Sequence, residues 1–350
     1  MKSNYKSIGE LVERIDERNR SGFVTTLIGV SIDKKFISSV ANVIGTDLTN
    51  YKVIRKYDFA VSLMQVSRDE KIPVACQKDY DAAIMSPAYP IFRVKDTSVI
   101  LPEYLEMWFM RSEFDREASF VAVGGVRGSM PWEEFAKLRL TVPSMDEQIE
   151  IVNSYKTITD RIALKKQIND NLEAALKTVF LDAFSASKTE ERIKLSEVMS
   201  FGNGKSRPKT DGIIPVYGGN GILSYTDQHN VKNAVLIGRV GAYCGSVYLE
   251  RGICWVSDNA IFAKSKISKD EFFDYFLLKG LNLFNHHVGT GQQLLTQEIL
   301  NNIEVVKPKV EQVEAFNKRA TSVFETISEN NNEIVRLQEL SNLLLSRLVG

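Results

Sequence analysis

Apolar positions near the end of the chain fall at alternating steps of three and four: Val313, Phe316, Ala320, Val323, Ile327, Asn330, Ile334, Leu337, Ser341, Leu344 and Leu348. The same rhythm occurs 165 residues earlier, at Ile151, Tyr155, Ile158, Ile162, Lys165, Asn169, Leu172, Leu176, Val179 and Ala183. Both series have the 3.5-residue period of a coiled-coil seam. Each predicts a long helix, one in the middle of the chain and one at its end. The offset extends upstream of the helices, since Val123 and Gly124 match Val288 and Gly289, Leu138 matches Ile303, and Pro143 matches Pro308. One amphipathic helix is common. Two in one register, with matching lead-in loops, indicate an internal duplication. Ser144-Met-Asp-Glu147 after Pro143 is a capping box, and Pro308 precedes Glu311 and Gln312 at the second start. Lys165, Asn169 and Asn330 interrupt the seam near mid-length, which weakens it while fixing its register.

The stretches before the two helices read as α+β units on one plan. The first, 1–143, predicts a short helix at Ile8–Arg18, strands within Phe23–Ile32 and Ala82–Val94, a helix over Pro102–Phe120 and a loop from Gly124 to Ser129. The second, 188–308, echoes Ser7-Ile-Gly-Glu-Leu11 in Lys194-Leu-Ser-Glu-Val198. It predicts strands at Ala234–Ile237 and Ile253–Phe262, a helix at Glu271–Leu283 and a loop from Gly289 to Thr296. The expected domains are thus 1–143, a spacer at 144–187, 188–308 and a spacer at 309–350. Only a short link, Ser185 to Arg192, separates the first helix from the second unit. A parallel pairing would oblige that unit to span a whole helix, roughly 58 Å at 1.5 Å per residue. The helices are therefore expected to pair antiparallel, with the two globular units related by a pseudo-two-fold axis.

Composition narrows the class. The 350 residues carry 44 basic and 44 acidic side chains and are 44% hydrophobic, ordinary for a protein with real cores. The charged start MKSNYKSIGELVERIDERN and the lack of a long apolar run predict neither a signal peptide nor a membrane span, hence a cytoplasmic protein. Cys76, Cys244 and Cys254 form neither a paired framework nor a CxxC, and the latter two are expected inside a β-region. The net charge is +1 for 1–143, −2 for 144–190, +2 for 191–308 and −1 for 309–350. Phosphate neutralisation supplies most non-specific DNA affinity, so a DNA-binding role for this neutral chain requires a partner that adds grip.

Several segments resemble the specificity subunits of type I restriction-modification systems. Gly128-Ser-Met-Pro-Trp132 through Thr141-Val-Pro-Ser-Met-Asp-Glu-Gln148, then Ile-Asn-Asp-Asn-Leu-Glu at 168–173, resembles their first helical region. Pro215-Val-Tyr-Gly-Gly-Asn-Gly-Ile222 and Ile237-Gly-Arg-Val-Gly-Ala-Tyr-Cys-Gly245 resemble motifs of their target-recognition domains. The resemblance implies two target-recognition domains, each reading one half of a bipartite, asymmetric site in double-stranded DNA. It also implies a helical spacer that sets the gap and docks two methyltransferase subunits, with motor-nuclease subunits able to join. The chain itself would hold no cofactor. S-adenosylmethionine, ATP and Mg2+ would belong to the partners, which modify adenine and cut unmodified DNA. The second helix departs from the pattern, with Lys307-Pro-Lys-Val-Glu-Gln312 where the first has Val142-Pro-Ser-Met-Asp-Glu-Gln148.

Base edges are read by Arg or Lys on guanine and Asn or Gln on adenine, and backbones by Lys, Arg, Ser and loop amides. The loop candidates are Lys205, Arg207, Lys209, Asn220, Arg239, Gln292 and Gln293 in the second unit. In the first they are Lys34, Lys35, Arg68, Lys71, Arg127 and Ser129. Singly, each basic residue is more at home on a solvated surface than on DNA, while each glycine loop fits a tight turn as well as it fits DNA approach. Ile158, Ile162, Lys165, Asn169 and Leu172, facing Val323, Ile327, Asn330, Ile334 and Leu337, are the spacer and register candidates. Gly204-Lys-Ser206 lacks the upstream glycine of a phosphate-binding loop, as residue 199 is Met. His286 and His287 have no suitably spaced third ligand. Trp108, Trp132 and Trp255, with neighbouring Phe and Tyr, are expected in the core.

Two other functions compete with that of a non-catalytic reader. A stand-alone adenine methyltransferase needs an Asn/Asp-Pro-Pro-aromatic motif, and the nearest approach is Ser86-Pro-Ala-Tyr89. A common nuclease core needs Glu-x-Lys, which occurs nowhere. A coiled-coil adaptor that never touches DNA would explain the helices but not the loop-rich units.

Overall fold

The computed structural model describes residues 4–39, 45–64, 66–122, 128–184, 191–289 and 291–348. It divides into two compact units: residues 1–164 with 333–350, and residues 165–332. Each boundary falls inside a long helix. The first long helix is Met145–Phe184, 40 residues, and the second is Val310–Ser346, 37 residues.

Both units are built on one frame. In the first unit, Tyr5–Ser7 pairs antiparallel with Arg139–Thr141; in the second, Arg192–Lys194 pairs likewise with Glu304–Val306. The Ile8 amide donates to the Leu138 carbonyl (2.9 Å) and the Leu195 amide to that of Ile303 (2.8 Å), so the 165 offset is also a structural one. Ser7 bonds Glu10 and Lys194 bonds Glu197, bracing the single-turn helices Ile8–Leu11 and Leu195–Val198.

Sheet order repeats as well. The first unit runs Val12–Ile15, Ile91–Val94, Phe59–Val61, Val74–Cys76; the second runs Met199–Asn203, Ala260–Ser265, Val231–Gly238, Val247–Val256 and adds the hairpin Ile214–Gly218 and Gly221–Thr226. The first unit also holds the separate pairs Ile28–Val30 with Phe36–Ser38 and Lys52–Arg55 with Ala82–Met85.

Several expected elements are shorter than the sequence suggests. The first helix stops at Leu11 because the alternating Val12-Glu-Arg-Ile15 is recruited as a strand against Ile91–Val94. Strand structure within Phe23–Ile32 is confined to Ile28–Val30. Pro102–Phe120 becomes two helices, Pro102–Phe109 and Ser112–Ala122. Turns at Ser86–Tyr89 and Ser257–Ala260 each divide one expected strand into two. The Glu271–Leu283 helix is Phe272–Gly280.

The long helices run antiparallel within each unit, since partners rise in number on one helix as they fall on the other. In the first unit Arg161 pairs with Glu333, and the Thr141 hydroxyl donates to the Leu348 carbonyl at 2.9 Å. Leu345 and Leu348 are buried in the core formed by Phe59, Phe92, Phe109 and Phe135. In the second unit Phe180 meets Phe316 edge-on, 5.4 Å between ring centres, beside buried Leu176, Val313 and Ala320.

Each long helix grips its unit through one buried carboxamide. Gln148 accepts from the Leu101 amide (2.9 Å) and donates to the carbonyls of Val99 and Pro143 (both 3.0 Å). Asn317 accepts from the Phe273 amide (2.8 Å) and donates to the Ser268 hydroxyl (2.8 Å) and the Asp270 carbonyl (3.0 Å). Both amides satisfy donors orphaned at a helix start.

Beside Asn317's partner lies Asp274, 1% exposed. Burial pushes its carboxyl up to about 7, and nearby Glu271 adds to the shift while the Ser265 hydroxyl partly offsets it. Between the ordinary carboxylate range and about 7, the folded chain holds a proton that the unfolded chain releases. Stability contributed by this site is therefore full at low pH and lost as pH rises through that window. Thermal melts should show a fall of about 1 kcal/mol per pH unit across it, and Asp274→Asn should flatten the fall.

Candidate nucleic-acid interface

Loops far apart in the second unit's sequence are stitched into one surface by backbone bonds. The Gly204 amide donates to the Ala260 carbonyl (3.1 Å) and that of Lys205 to Val256 (3.0 Å), which seats the Lys205–Lys209 loop on the turn at Ser257. The Arg239 amide donates to Asn259 (3.0 Å), the Leu295 amide to Arg239 (2.9 Å), and the Gly241 amide to Gln293 (3.0 Å). Two glycines permit the crowding. A Cβ on Gly204 would stand 1.9 Å from the Ser257 carbonyl oxygen, and one on Gly238 2.2 Å from that of Tyr243 and 2.8 Å from that of Gly219. Side-chain bonds add to the stitching: the Trp255 indole donates to the Lys205 carbonyl (3.3 Å) and the Tyr248 hydroxyl to that of Gly219 (3.5 Å).

This surface gathers Lys205, Arg207, Asn220, Arg239, Gln292 and Gln293. Lys205, Arg207, Asn220 and Gln292 are exposed, and Arg239 and Gln293 are half-buried. Lys209 is exposed further along its loop. The Arg239 guanidinium reaches the Asp258 carbonyl at 3.5 Å, while its Nε is buried with no partner among the described residues. Sequence reasoning missed Tyr243, half exposed on the turn Gly241–Tyr243, and exposed Asp258 and Asn259. The place of Tyr243 between Gly241 and Gly245, both at positive φ, was the available signal for a tight exposed turn.

The first unit brings together fewer of its candidates. A Cβ on Gly128 (φ +72°) would meet the Ser67 hydroxyl at 2.4 Å, and the Met130 amide donates to Leu63 (2.9 Å), so Ser129 lies against the short helix Val66–Asp69 that carries Arg68. Arg68 is exposed and bonded to Asp69 (2.8 Å). Lys71 is exposed nearby, and Lys35 is exposed at the turn between Ile28–Val30 and Phe36–Ser38. Arg127 lies outside the described residues, as do Val123 and Gly124.

Lys34 leaves the candidate set. Only 7% exposed, it points inward to an ion pair with Asp115 (2.7 Å) and a bond to the Phe109 carbonyl. Asp115 also accepts from the Ile72 amide (3.1 Å). Burial lowers the Lys34 ammonium pKa and the Asp115 carboxylate partly restores it. No duplex can reach this ammonium.

On the long helices, every seam position named above is buried or half-buried except Ala183, which is exposed. Phe180 and Phe184 take over there, since a straight helix drifts from a strict heptad. At mid-seam, Lys165 donates to Asn330 (2.8 Å), Asn330 to Asn169 (2.8 Å) and Asn169 to Asn331 (3.0 Å). Ile158, Ile162, Leu172, Val323, Ile327 and Leu337 are half-buried along the seam, and Ile334 is buried.

With this geometry in place, comparison with known proteins is informative. Residues 188–343 match the family model of the type I restriction modification DNA specificity domain. That segment, a little under half of the chain, is similar to the specificity domain. The match contains the whole stitched loop surface of the second unit. The chain is 21% identical over 206 residues to the type I restriction enzyme EcoprrI specificity subunit of Escherichia coli, covering 55% of this chain and 51% of that relative, so the matched span is about half the relative's length. Its fold is similar to the S subunit of a type I restriction-modification system from M. genitalium, with a TM-score of 0.59 and 15% identity over 99% of this chain and 96% of that one. Among the described residues, no helix is long and apolar enough to cross a membrane.

Paired substitutions separate buried from surface lysine. Lys34→Met leaves the Asp115 carboxylate unpaired in the interior and should cost about 3–5 kcal/mol in urea unfolding. Lys35→Met should stay within about 0.5 kcal/mol. If Lys35 contacts a phosphate, its loss should lower the salt slope of DNA binding by about one.

Proposed function

We propose that the chain is the non-catalytic DNA sequence-specificity subunit of a type I restriction-modification complex. Each globular unit reads one half of a bipartite, asymmetric site in double-stranded DNA. The observation that carries this reading is the convergence of Lys205, Arg207, Asn220, Arg239 and the Gln292–Gln293 pair on one glycine-built surface within the matched segment. Arginine and carboxamides are the side chains that read guanine and adenine edges, and glycine lets backbone approach a duplex closely. The first unit contributes Lys35, Arg68, Lys71 and Ser129, and Arg127 joins them as a candidate on sequence grounds alone. Differences between the two sets fit halves of different sequence.

The long helices set the gap between half-sites and dock two methyltransferase subunits, which motor-nuclease subunits join. The polar contacts of Lys165, Asn169, Asn330 and Asn331 support a fixed register for such a spacer, because a buried polar residue in a seam bonds well in one alignment only. S-adenosylmethionine, ATP and Mg2+ belong to the partner subunits, and the complex works in the cytoplasm. The chain's near-neutral charge leaves part of the electrostatic grip on DNA to those partners.

Two experiments test this. The chain alone should bind DNA weakly, with strong salt dependence and little selectivity; with its methyltransferase subunits it should direct adenine methylation to one split sequence. Methylation spread evenly over all adenines would refute the reader. Separately, inserting seven residues beside Lys165 and seven beside Asn330 should change the unspecified gap and leave the recognised bases as they were. New bases with the old gap would defeat the spacer role.

A further inference from the structure

The two most exposed large hydrophobic side chains among the described residues are Phe23 (89%) and Ile213 (90%). They occupy the same place in the two units. Each follows a glycine, in the loop that leaves the strand after the single-turn helix: Val12–Ile15 leads to Ser21-Gly-Phe23, and Met199–Asn203 leads to Asp211-Gly-Ile213. Basic residues precede both, Arg18 and Arg20 in one loop and Arg207 and Lys209 in the other. A lone exposed apolar residue is unremarkable on a protein surface. The same exposure recurs in the corresponding loop of both units, although the two residues stand 190 and not 165 positions apart.

Both tips are held rigidly. Asn19, buried, accepts from the Val24 amide (3.2 Å) and donates to the Val24 carbonyl (2.8 Å), closing the loop around Phe23, while Gly22 adopts φ +68°. Arg18 and Arg20 reach Asn50 through its carbonyl and side-chain oxygens, both at 2.9 Å. In the second unit Thr210 bonds buried Thr226 (2.9 Å) and Asp227 (2.5 Å). Gly212 lies so close to the backbone there that a Cβ would sit 2.2 Å from the Thr226 carbonyl carbon. The loops therefore hold an apolar side chain out into water on a braced stem, and each carries exposed cations suited to phosphates, Arg20 in one and Arg207 and Lys209 in the other, while Arg18 is held by Asp16 at 2.8 Å.

We infer that Phe23 and Ile213 are wedges that insert between base pairs of the duplex, one in each half-site. Side chains of this type partially unstack a base step and kink the helix when flanking cations hold the backbone. Such a wedge also reads sequence at a step it never hydrogen-bonds, because pyrimidine–purine steps open at lower cost. The inference rests on the DNA-reading role proposed above.

The test uses the full chain assembled with its methyltransferase subunits and a pool of randomised duplexes. Duplexes enriched by the wild-type complex are then remade with aminopurine at successive positions, whose fluorescence rises where a base is unstacked. The methyltransferase itself extrudes its target adenine, so aminopurine there brightens in every variant; the expected result is one further bright step in each half-site, away from that adenine. Phe23→Ala should extinguish one step and Ile213→Ala the other, Phe23→Leu should keep its step, and melting temperatures should not move. Enriched duplexes that stay dark at every step with the wild type would overturn the wedge and leave the reader standing. Bright steps away from the target adenine that survive both alanine variants would overturn it too, as would alanine variants that keep both of these steps and shed the methyltransferase. A pool that the wild-type complex does not enrich would remove the DNA-reading role, and the wedge with it.

Discussion

Two buried carboxamides, Gln148 and Asn317, hold each globular unit to a long helix. Each joins three backbone or side-chain groups that would otherwise be orphaned at a loop and helix start. In a low-dielectric interior such bonds are strong when complete and costly when broken. They convert a hydrophobic contact, which tolerates sliding, into a joint with one geometry. The two residues are not equivalent under the 165 offset: Asn317 sits four positions later than Gln148 does. One turn of helix separates them, so the same joint is made from either place on the same helix face.

Periodic features were legible in the sequence, and long-range ones were not. The seam could be read because a heptad constrains every position locally, and it failed only at Ala183, where Phe180 and Phe184 fill the space. Ser144 and Glu147 announced their capping box, and the Ser144 hydroxyl and amide both bond the Glu147 carboxylate, at 2.8 and 2.9 Å. By contrast, nothing near Lys34 announces Asp115, which arrives from a helix 81 positions on. The strand at Val12–Ile15 was hidden for the same reason: its alternation is short, and the partner that selects it lies at Ile91–Val94. Candidate loops could be named from Gly, Lys and Asn content, but their meeting depends on which strands pair. Bonds such as Gly241 to Gln293 follow from sheet order alone.

The glycines separate the frame of each unit from the side chains it presents. Gly204 and Gly238 in the second unit let backbones pass at distances no side chain allows, and Gly128 does so in the first. These contacts fix the loops without using the side chains that point outward. Arg207, Asn220 and Gln292 are therefore free to vary while the frame beneath them stays the same. The frame and the outward side chains are thus carried by different atoms.

Lys165 and Asn330 are the same position in the two copies of the duplicated sequence, and they bond each other. The contact is thus between a residue and its own counterpart, one ammonium donor and one amide acceptor. Recombination that made the copies identical here would bring two ammonium groups together in a half-buried seam, or two amides. The first repels and the second gives up the charged bond. A half-length chain pairing with itself faces that same choice, so this one dissimilar pair favours keeping both copies, already diverged, on a single polypeptide.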